Sequence, residues 1–157
     1  MERVVVIADT RERQPYSFDP ERVTIVRRAL RSGDYSLEGF EERIAVERKT
    51  LDDFAQSLIR SRDRFPAEMR RLESFEAACV VVEGNLRDLL EGRASSGAHP
   101  SSLLGAALSV IVDHGIPIYF CSDRQAACRF VEGYLLRCHR RLSNPCAELE
   151  LPHPENP

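Results

Sequence analysis

Four short segments constrain this chain more than any other feature: the apolar run RVVVIAD (residues 3–9), ERIAVERK (42–49), which alternates like a strand, and the apolar runs ACVVVEGN (78–85) and IPIYFCSD (116–123). Runs of this length, rich in Val and Ile, fit strands and are too short for core helices. Between the first two lies TRERQPYSFDPE (10–21), a polar stretch with Pro15 and Pro20 that reads as a loop. RVTIVRRAL (22–30) is β-rich, RSGD turns the chain, and YSLEG is short and extended. This region fits two to three antiparallel strands joined by tight connections.

From residue 50 onward the pattern becomes strand–helix alternation. Thr50 is an N-cap with Asp53 at N3, close to a capping box, and Leu51, Phe54, Ala55, Leu58 and Ile59 follow at helical spacing. RSRDR (60–64) breaks that pattern, and Phe65, Met69 and Leu72 mark a second helix that accepts Pro66 in its first turn. Asn85 opens a short helix, GRASSGAHPSS (92–102) reads as a flexible loop, and residues 103–114 form an apolar helix stopped by Gly115. Residues 124–142 form the last helix, with Ala127, Phe130, Val131, Tyr134, Leu135 and Cys138 on one face. Strands first and alternation afterwards specify an α/β domain, a mixed sheet flanked by helices. At 157 residues and 43% hydrophobic, the chain has the makings of one domain, 1–142, with a Pro-rich tail, 143–157, expected to be flexible.

A net charge of −3 excludes a protein that holds a polyanion by its overall field, so any nucleic-acid contact must come from a local patch. No run approaches the ~20 apolar residues of a membrane span, and the N-terminus reads as a strand, not a signal peptide. Cys79, Cys121, Cys128, Cys138 and Cys146 are odd in number and hold no C-x-x-C pair, which fits reduced thiols in a cytoplasmic protein. Cys138, His139, Cys146 and His153 lack finger-type zinc spacing.

Lys49 is the single lysine beside 21 arginines. Side chains at i and i+2 of a strand share a face, so Glu47 and Lys49 point one way while Val46 and Arg48 point the other. Asp34 follows the SG turn on the strand expected to pair with 42–49, near Glu47, and Asp9 ends the first buried strand. Carboxylates converging with one lysine on a strand edge suit a hard divalent cation, Mg²⁺ or Mn²⁺, with room for water and a phosphate oxygen. A lysine ammonium is a compact point charge of movable pKa, and a guanidinium is neither.

GDYSL together with IAVERKTLDD resembles the G-D-Y…V-E-R-K-x-x-x-D pattern of the XPF-type structure-specific endonucleases, a branch of the PD-(D/E)xK nucleases with a restriction-endonuclease-like fold. VVIADTRERQPYSF is similar to that family's D-x-R-E segment in its compact bacterial and phage members. RSRDRFPAEMRRL, CVVVEGN and SVIVDHGIPIYFCSD resemble the rest of the domain in the same order, so the likeness spans residues 4 to 142. It implies metal-binding acids at Asp9, Asp34 and Glu47, a catalytic lysine at Lys49, and further activity positions at Arg11, Arg48 and Asp53. It also implies Mg²⁺- or Mn²⁺-dependent cutting of DNA at a flap or junction, and nucleoid association in a prokaryote or phage setting. Larger relatives carry a helix between the first two strands and a C-terminal pair of helix-hairpin-helix units. Neither is legible here, so a separate DNA-binding partner is an expected complement.

Other residues carry plainer readings. Asp53 fits a helix N-terminal carboxylate, Arg48 an ion pair with Asp52 or Asp53, Glu12 a solvent-exposed position, and Tyr35 and Phe40 core packing. Arg60, Arg62 and Arg64, with Arg70 and Arg71, follow the helix after the motif and read as phosphate contacts. The apolar helix 103–114 and the last helix fit either plain core or burial in a homodimer, which the resemblance favours. The rival from another class is a non-catalytic scaffold that binds branched DNA with an active subunit. A nuclease directed at RNA or single strands is a third reading.

Overall fold

The computed structural model describes residues 3–60, 63–94 and 96–145. The expected tail beyond residue 145, with Cys146 and His153, lies outside the described residues, as does Arg62. Six strands form one sheet in the order β2-β1-β3-β4-β5-β6: β1 (Val4–Ala8), β2 (Val23–Arg27), β3 (Tyr35–Leu37), β4 (Ile44–Thr50), β5 (Ala77–Glu83) and β6 (Ile118–Phe120). Five helices flank it: α1 (Leu51–Arg60), α2 (Arg64–Leu72), α3 (Leu86–Leu90), α4 (Pro100–Asp113) and α5 (Arg124–Ser143).

One expectation is corrected. β2 pairs parallel with β1 and takes no part in an antiparallel set with β3, whereas β1–β3 and β3–β4 are antiparallel. A parallel pair needs a long crossover. The segment 9–22 supplies it without a helix, burying Tyr16 and Phe18 on the sheet as it passes. β4, β5 and β6 are parallel, so β3 alone runs against the other five strands. The C-terminal ends of β1, β4 and β5 and the start of β3 therefore share one edge, where open α/β sheets bind ligands.

Alternation along the strands builds a core on each face. Ala45, Val80 and Val82 pack with Phe54, Phe65, Met69, Leu103 and Ala107 from α1, α2 and α4. Val46, Cys79 and Val81 pack with Tyr16, Tyr35, Ala127, Val131 and Leu135 on the α5 side. Tyr35 is a core residue, fully buried and stacked on Tyr16 with ring centroids 5.3 Å apart. Two glycines let the chain close up near the functional edge. Gly33 has φ +78°, and a Cβ there would lie 3.1 Å from the Val46 carbonyl oxygen. A Cβ at Gly84 would stand 2.8 Å from Leu51 Cβ, so only glycine lets the end of β5 press against the start of α1.

Candidate active site

Register alone assembles the acids. Ala8 pairs with Tyr35 and Tyr35 with Val46. Carrying the register on by one residue sets Asp9, Asp34 and Glu47 side by side on three adjacent strands. Their parity is opposite to Ala8, Tyr35 and Val46, so they face the α1/α2 side. Asp34 is fixed by its backbone, its N–H donating to the Val46 carbonyl at 2.8 Å. Its Oδ2 accepts the Arg48 N–H at 2.7 Å.

On the same face Lys49 Nζ donates to Glu47 Oε1 at 3.0 Å and lies 5.8 Å from the centroid of Phe65, in the first turn of α2. Glu68 stands one turn further along α2, a further carboxylate whose charge acts on Glu47, Lys49 and Asp34. Burial and the neighbouring carboxylates push Asp34 up to about 6, against the pull of the Arg48 N–H and Lys49. Burial raises Glu47 well above the usual carboxylate range, with Asp34 and Glu68 adding to it. Burial by itself would lower Lys49, but Glu47, Glu68 and Asp34 together hold its ammonium charged above the ordinary lysine value. The site is thus short of positive charge, with three carboxylates around one ammonium.

Asp9 is in the row but already occupied. Its Oδ1 accepts from Arg11 N and Nε, both at 2.8 Å, and its Oδ2 from Leu30 N at 2.7 Å and Arg11 Nη2 at 3.1 Å. Burial works to raise this carboxyl, yet these donors hold it below the usual value. The Arg11 side chain is 74% exposed and feels the charges of Asp34 and Glu47.

Arg48 departs from expectation. Opposite parity sends it to the α5 face, where it pairs with Glu83, not with Asp52 or Asp53: Nε to Oε1 at 2.6 Å and Nη2 to Oε2 at 3.0 Å. Glu12, expected to be exposed, is 8% exposed and lies 3.4 Å from Arg48 Nη1. Tyr16 Oη donates to Glu83 Oε1 at 2.7 Å, which closes a second buried network directly behind the acidic row.

Thr50 caps α1 as the sequence predicts, its Oγ1 accepting the Asp53 N–H at 3.1 Å, and Asp53 is exposed in the first turn. Arg60, Arg64, Arg70 and Arg71 are exposed and form no ion pair among the described residues. Arg64 opens α2, next in sequence to the Phe65 that packs on Lys49. His99 caps α4 by accepting the Ser101 N–H, and His114 pairs with Glu73 at its other end. Sequence reasoning missed Glu68. The signal was present, because a helix burying Phe65, Met69 and Leu72 puts residue 68 on their side of the helix.

The donor set fits a hard divalent cation. Among the described residues no three His, Cys, Asp or Glu side chains are grouped tightly enough to enclose an ion. Mg²⁺ needs no such cage, since it keeps several waters and takes one or two carboxylates. Asp34 and Glu47, both disfavoured as anions by burial and by neighbouring carboxylates, are the two that would fit such a role.

The model of the ERCC4 domain matches residues 8–134. The solved structure of XPF from Aeropyrum pernix superposes with a TM-score of 0.67 at 30% identity, covering 90% of this chain and 68% of that one. XPF from the same organism in complex with DNA gives 0.65 at 29% identity, covering 94% and 69%. A Methanocaldococcus jannaschii protein that carries the name of an ATP-dependent RNA helicase is 33% identical over 122 residues, which are 78% of this chain and 14% of that protein.

Proposed function

We propose, on the premise that this chain belongs to the ERCC4-domain family, that it is a metal-dependent DNA endonuclease acting at branched, flap or junction DNA. The observation that carries this reading is the row of Asp34 and Glu47 on adjacent strands with the Lys49 ammonium 3.0 Å from Glu47. Asp34 and Glu47 would hold Mg²⁺ or Mn²⁺, with Asp9 beside them. Bound there, the cation would act as a Lewis acid on the phosphoryl group and lower the pKa of a bound water.

The chain's own residues do the rest. Lys49, kept charged by its acidic neighbours, orients the attacking water and offsets negative charge that grows on the phosphate. Asp9 aims Arg11, whose exposed guanidinium faces a phosphate. Arg48 is a positioning residue: its N–H fixes Asp34 while its side chain is tied to Glu83. Asp53 supports the start of α1, and Arg60, Arg64 and Arg62 contact phosphates without reading sequence.

The finer readings rest on surface features. Leu108, Ile111 and Val112 are exposed at i, i+3, i+4 spacing on α4, and Tyr119 on the edge strand β6 packs on Phe130 of α5 at 4.7 Å. Two copies meeting on this end would cover both, so the active form is a homodimer. No helix among the described residues is long and apolar enough to cross a membrane.

Purified protein incubated with labelled flap, splayed-arm, hairpin and linear DNA in Mg²⁺, Mn²⁺ or EDTA tests the reading. Metal-dependent scission lost in Lys49→Ala and Asp34→Asn supports it. Tight binding of branched DNA with no cutting under any metal would make the chain a scaffold for an active subunit. Sedimentation showing only monomer at micromolar concentration would remove the dimer.

A further inference from the structure

The segment 10–15 has no regular structure, yet its carbonyls are gripped from two sides. Arg27 of β2 donates through Nη2 to the Thr10 carbonyl at 3.1 Å and to the Glu12 carbonyl at 2.6 Å. Arg124 of α5 donates through Nη2 to the carbonyls of Gln14 at 2.6 Å and Pro15 at 3.3 Å. The buried Glu12 side chain accepts the Gln14 N–H at 3.0 Å. Four held carbonyls, at residues 10, 12, 14 and 15, and the Gln14 N–H fix this stretch of backbone, while the side chains of Thr10, Arg11, Arg13 and Gln14 stay exposed.

Arg13 is one of these, exposed and without an ion pair among the described residues. Its neighbour Arg11 already lies in the field of Asp34 and Glu47, so the segment borders the acidic row. A loop that is rigid before binding loses little entropy when it meets its ligand. Guanidinium groups match phosphate oxygens in geometry as well as charge.

We propose that residues 10–15 form a preset ridge that grips the phosphodiester strand beside the cleavage point, with Arg13 as a phosphate contact and Arg27 as the positioning residue that keeps the ridge in place. This rests on the nuclease reading for its substrate, but its readout is binding and not cutting.

The test measures affinity for fluorescent splayed-arm DNA by anisotropy in EDTA at several salt concentrations, for the full chain and for Arg13→Ala and Arg27→Ala. Amide hydrogen exchange of residues 10–15 is followed alongside. Arg13→Ala is expected to weaken binding roughly 5- to 10-fold and to reduce the salt slope by about one, with the ridge still protected. Arg27→Ala is expected to weaken binding and to speed exchange in 10–15. Arg27→Lys, which keeps a donor for the two carbonyls, is expected to recover part of both. Unchanged affinity and salt slope in Arg13→Ala would overturn the proposal, as would an Arg27→Ala protein whose ridge exchanges freely while binding is intact. Wild-type protein that binds without cutting would sink the nuclease reading alone. Wild-type protein that cuts while Arg13→Ala binds unchanged would sink this one alone, and wild-type protein that binds no DNA would sink both.

Discussion

Asp34 straddles Glu47: its N–H donates to the carbonyl of Val46 at 2.8 Å, and its carboxylate accepts the N–H of Arg48 at 2.7 Å. A side chain held this way cannot swing from its strand neighbour to escape repulsion. The two buried carboxylates are thus kept together at the cost of a raised pKa, which a proton or a cation relieves.

The first prediction concerns pH. Asp34 has a folded value of about 6 against 3.8 ordinarily, and Glu47 is raised as well. An acid raised on folding contributes stability fully below its unfolded value and loses it as pH climbs through the folded one. Metal-free protein should therefore lose stability between pH 4 and above pH 6, by on the order of 2–3 kcal/mol from Asp34. Asp9 and Glu83 are lowered, so they act in the opposite sense and only at more acidic pH. Thermal denaturation in EDTA at pH 5 and pH 8 should show a smaller decline for Asp34→Asn, whose amide oxygen keeps the Arg48 hydrogen bond. Added Mg²⁺ or Mn²⁺ should raise Tm at pH 8 in the wild type and not in this variant.

Lys49 provides the second. Lys49→Ala should lower single-turnover cleavage by about 10²-fold or more, the scale of losing one preorganised charge in a buried site. It should also destabilise metal-free protein above pH 6, because Glu47, Asp34 and Glu68 lose their common counter-charge. Lys49→Arg should stay far below wild type. The amine is 14% exposed and set against Phe65, a place shaped for a point charge and not for a planar fork.

These residues show what was legible in the sequence and what was not. Strand parity sent Glu47 and Lys49 to one face and Arg48 to the other, and the structure keeps that division. Parity says nothing about which remote side chain waits on each face, so the sequence offers Arg48 only nearby Asp52 or Asp53, whereas Glu83 and Glu12 hold it. Glu12 looked exposed because its loop is polar, yet the loop is itself the crossover to β2 and buries Tyr16 and Phe18. The β1–β2 pairing was missed for the same reason: the crossover contains no helix to announce a parallel connection. Glu68 follows from helical spacing only once α2 is known to lean on Lys49.

Glu68 gives the third prediction. It adds a negative charge to the Asp34–Glu47 pair and helps keep Lys49 protonated. Glu68→Ala should weaken Mn²⁺ binding, read by calorimetry, by roughly 10-fold, the scale seen when a partner of a metal ligand is removed. Stability of the metal-free protein at pH 8 should rise, since one repelling carboxylate is gone. A variant that binds Mn²⁺ as the wild type does would separate Glu68 from the cation.

The fourth lies behind the site. Glu83 accepts from Arg48 Nε at 2.6 Å, Arg48 Nη2 at 3.0 Å and Tyr16 Oη at 2.7 Å, and Arg124 Nη1 adds a fourth contact at 3.4 Å. With Arg48 15% and Glu83 8% exposed, removing either partner leaves the other half-buried with weaker company, Arg48 with Glu12 at 3.4 Å and Glu83 with Tyr16 and Arg124. Glu83→Ala should cost about 3–5 kcal/mol in chemical denaturation, and Arg48→Ala a similar amount. The double variant should cost clearly less than the sum, because the second change removes the charge that the first left poorly paired. Conservative Glu83→Gln keeps an acceptor for the Tyr16 hydroxyl and should cost less than Glu83→Ala. The network ties the end of β5, the middle of the crossover and the start of α5 to β4, so Glu83→Ala should also speed amide exchange at Tyr16. Cleavage should fall with it, through the loosened Arg48 N–H that holds Asp34.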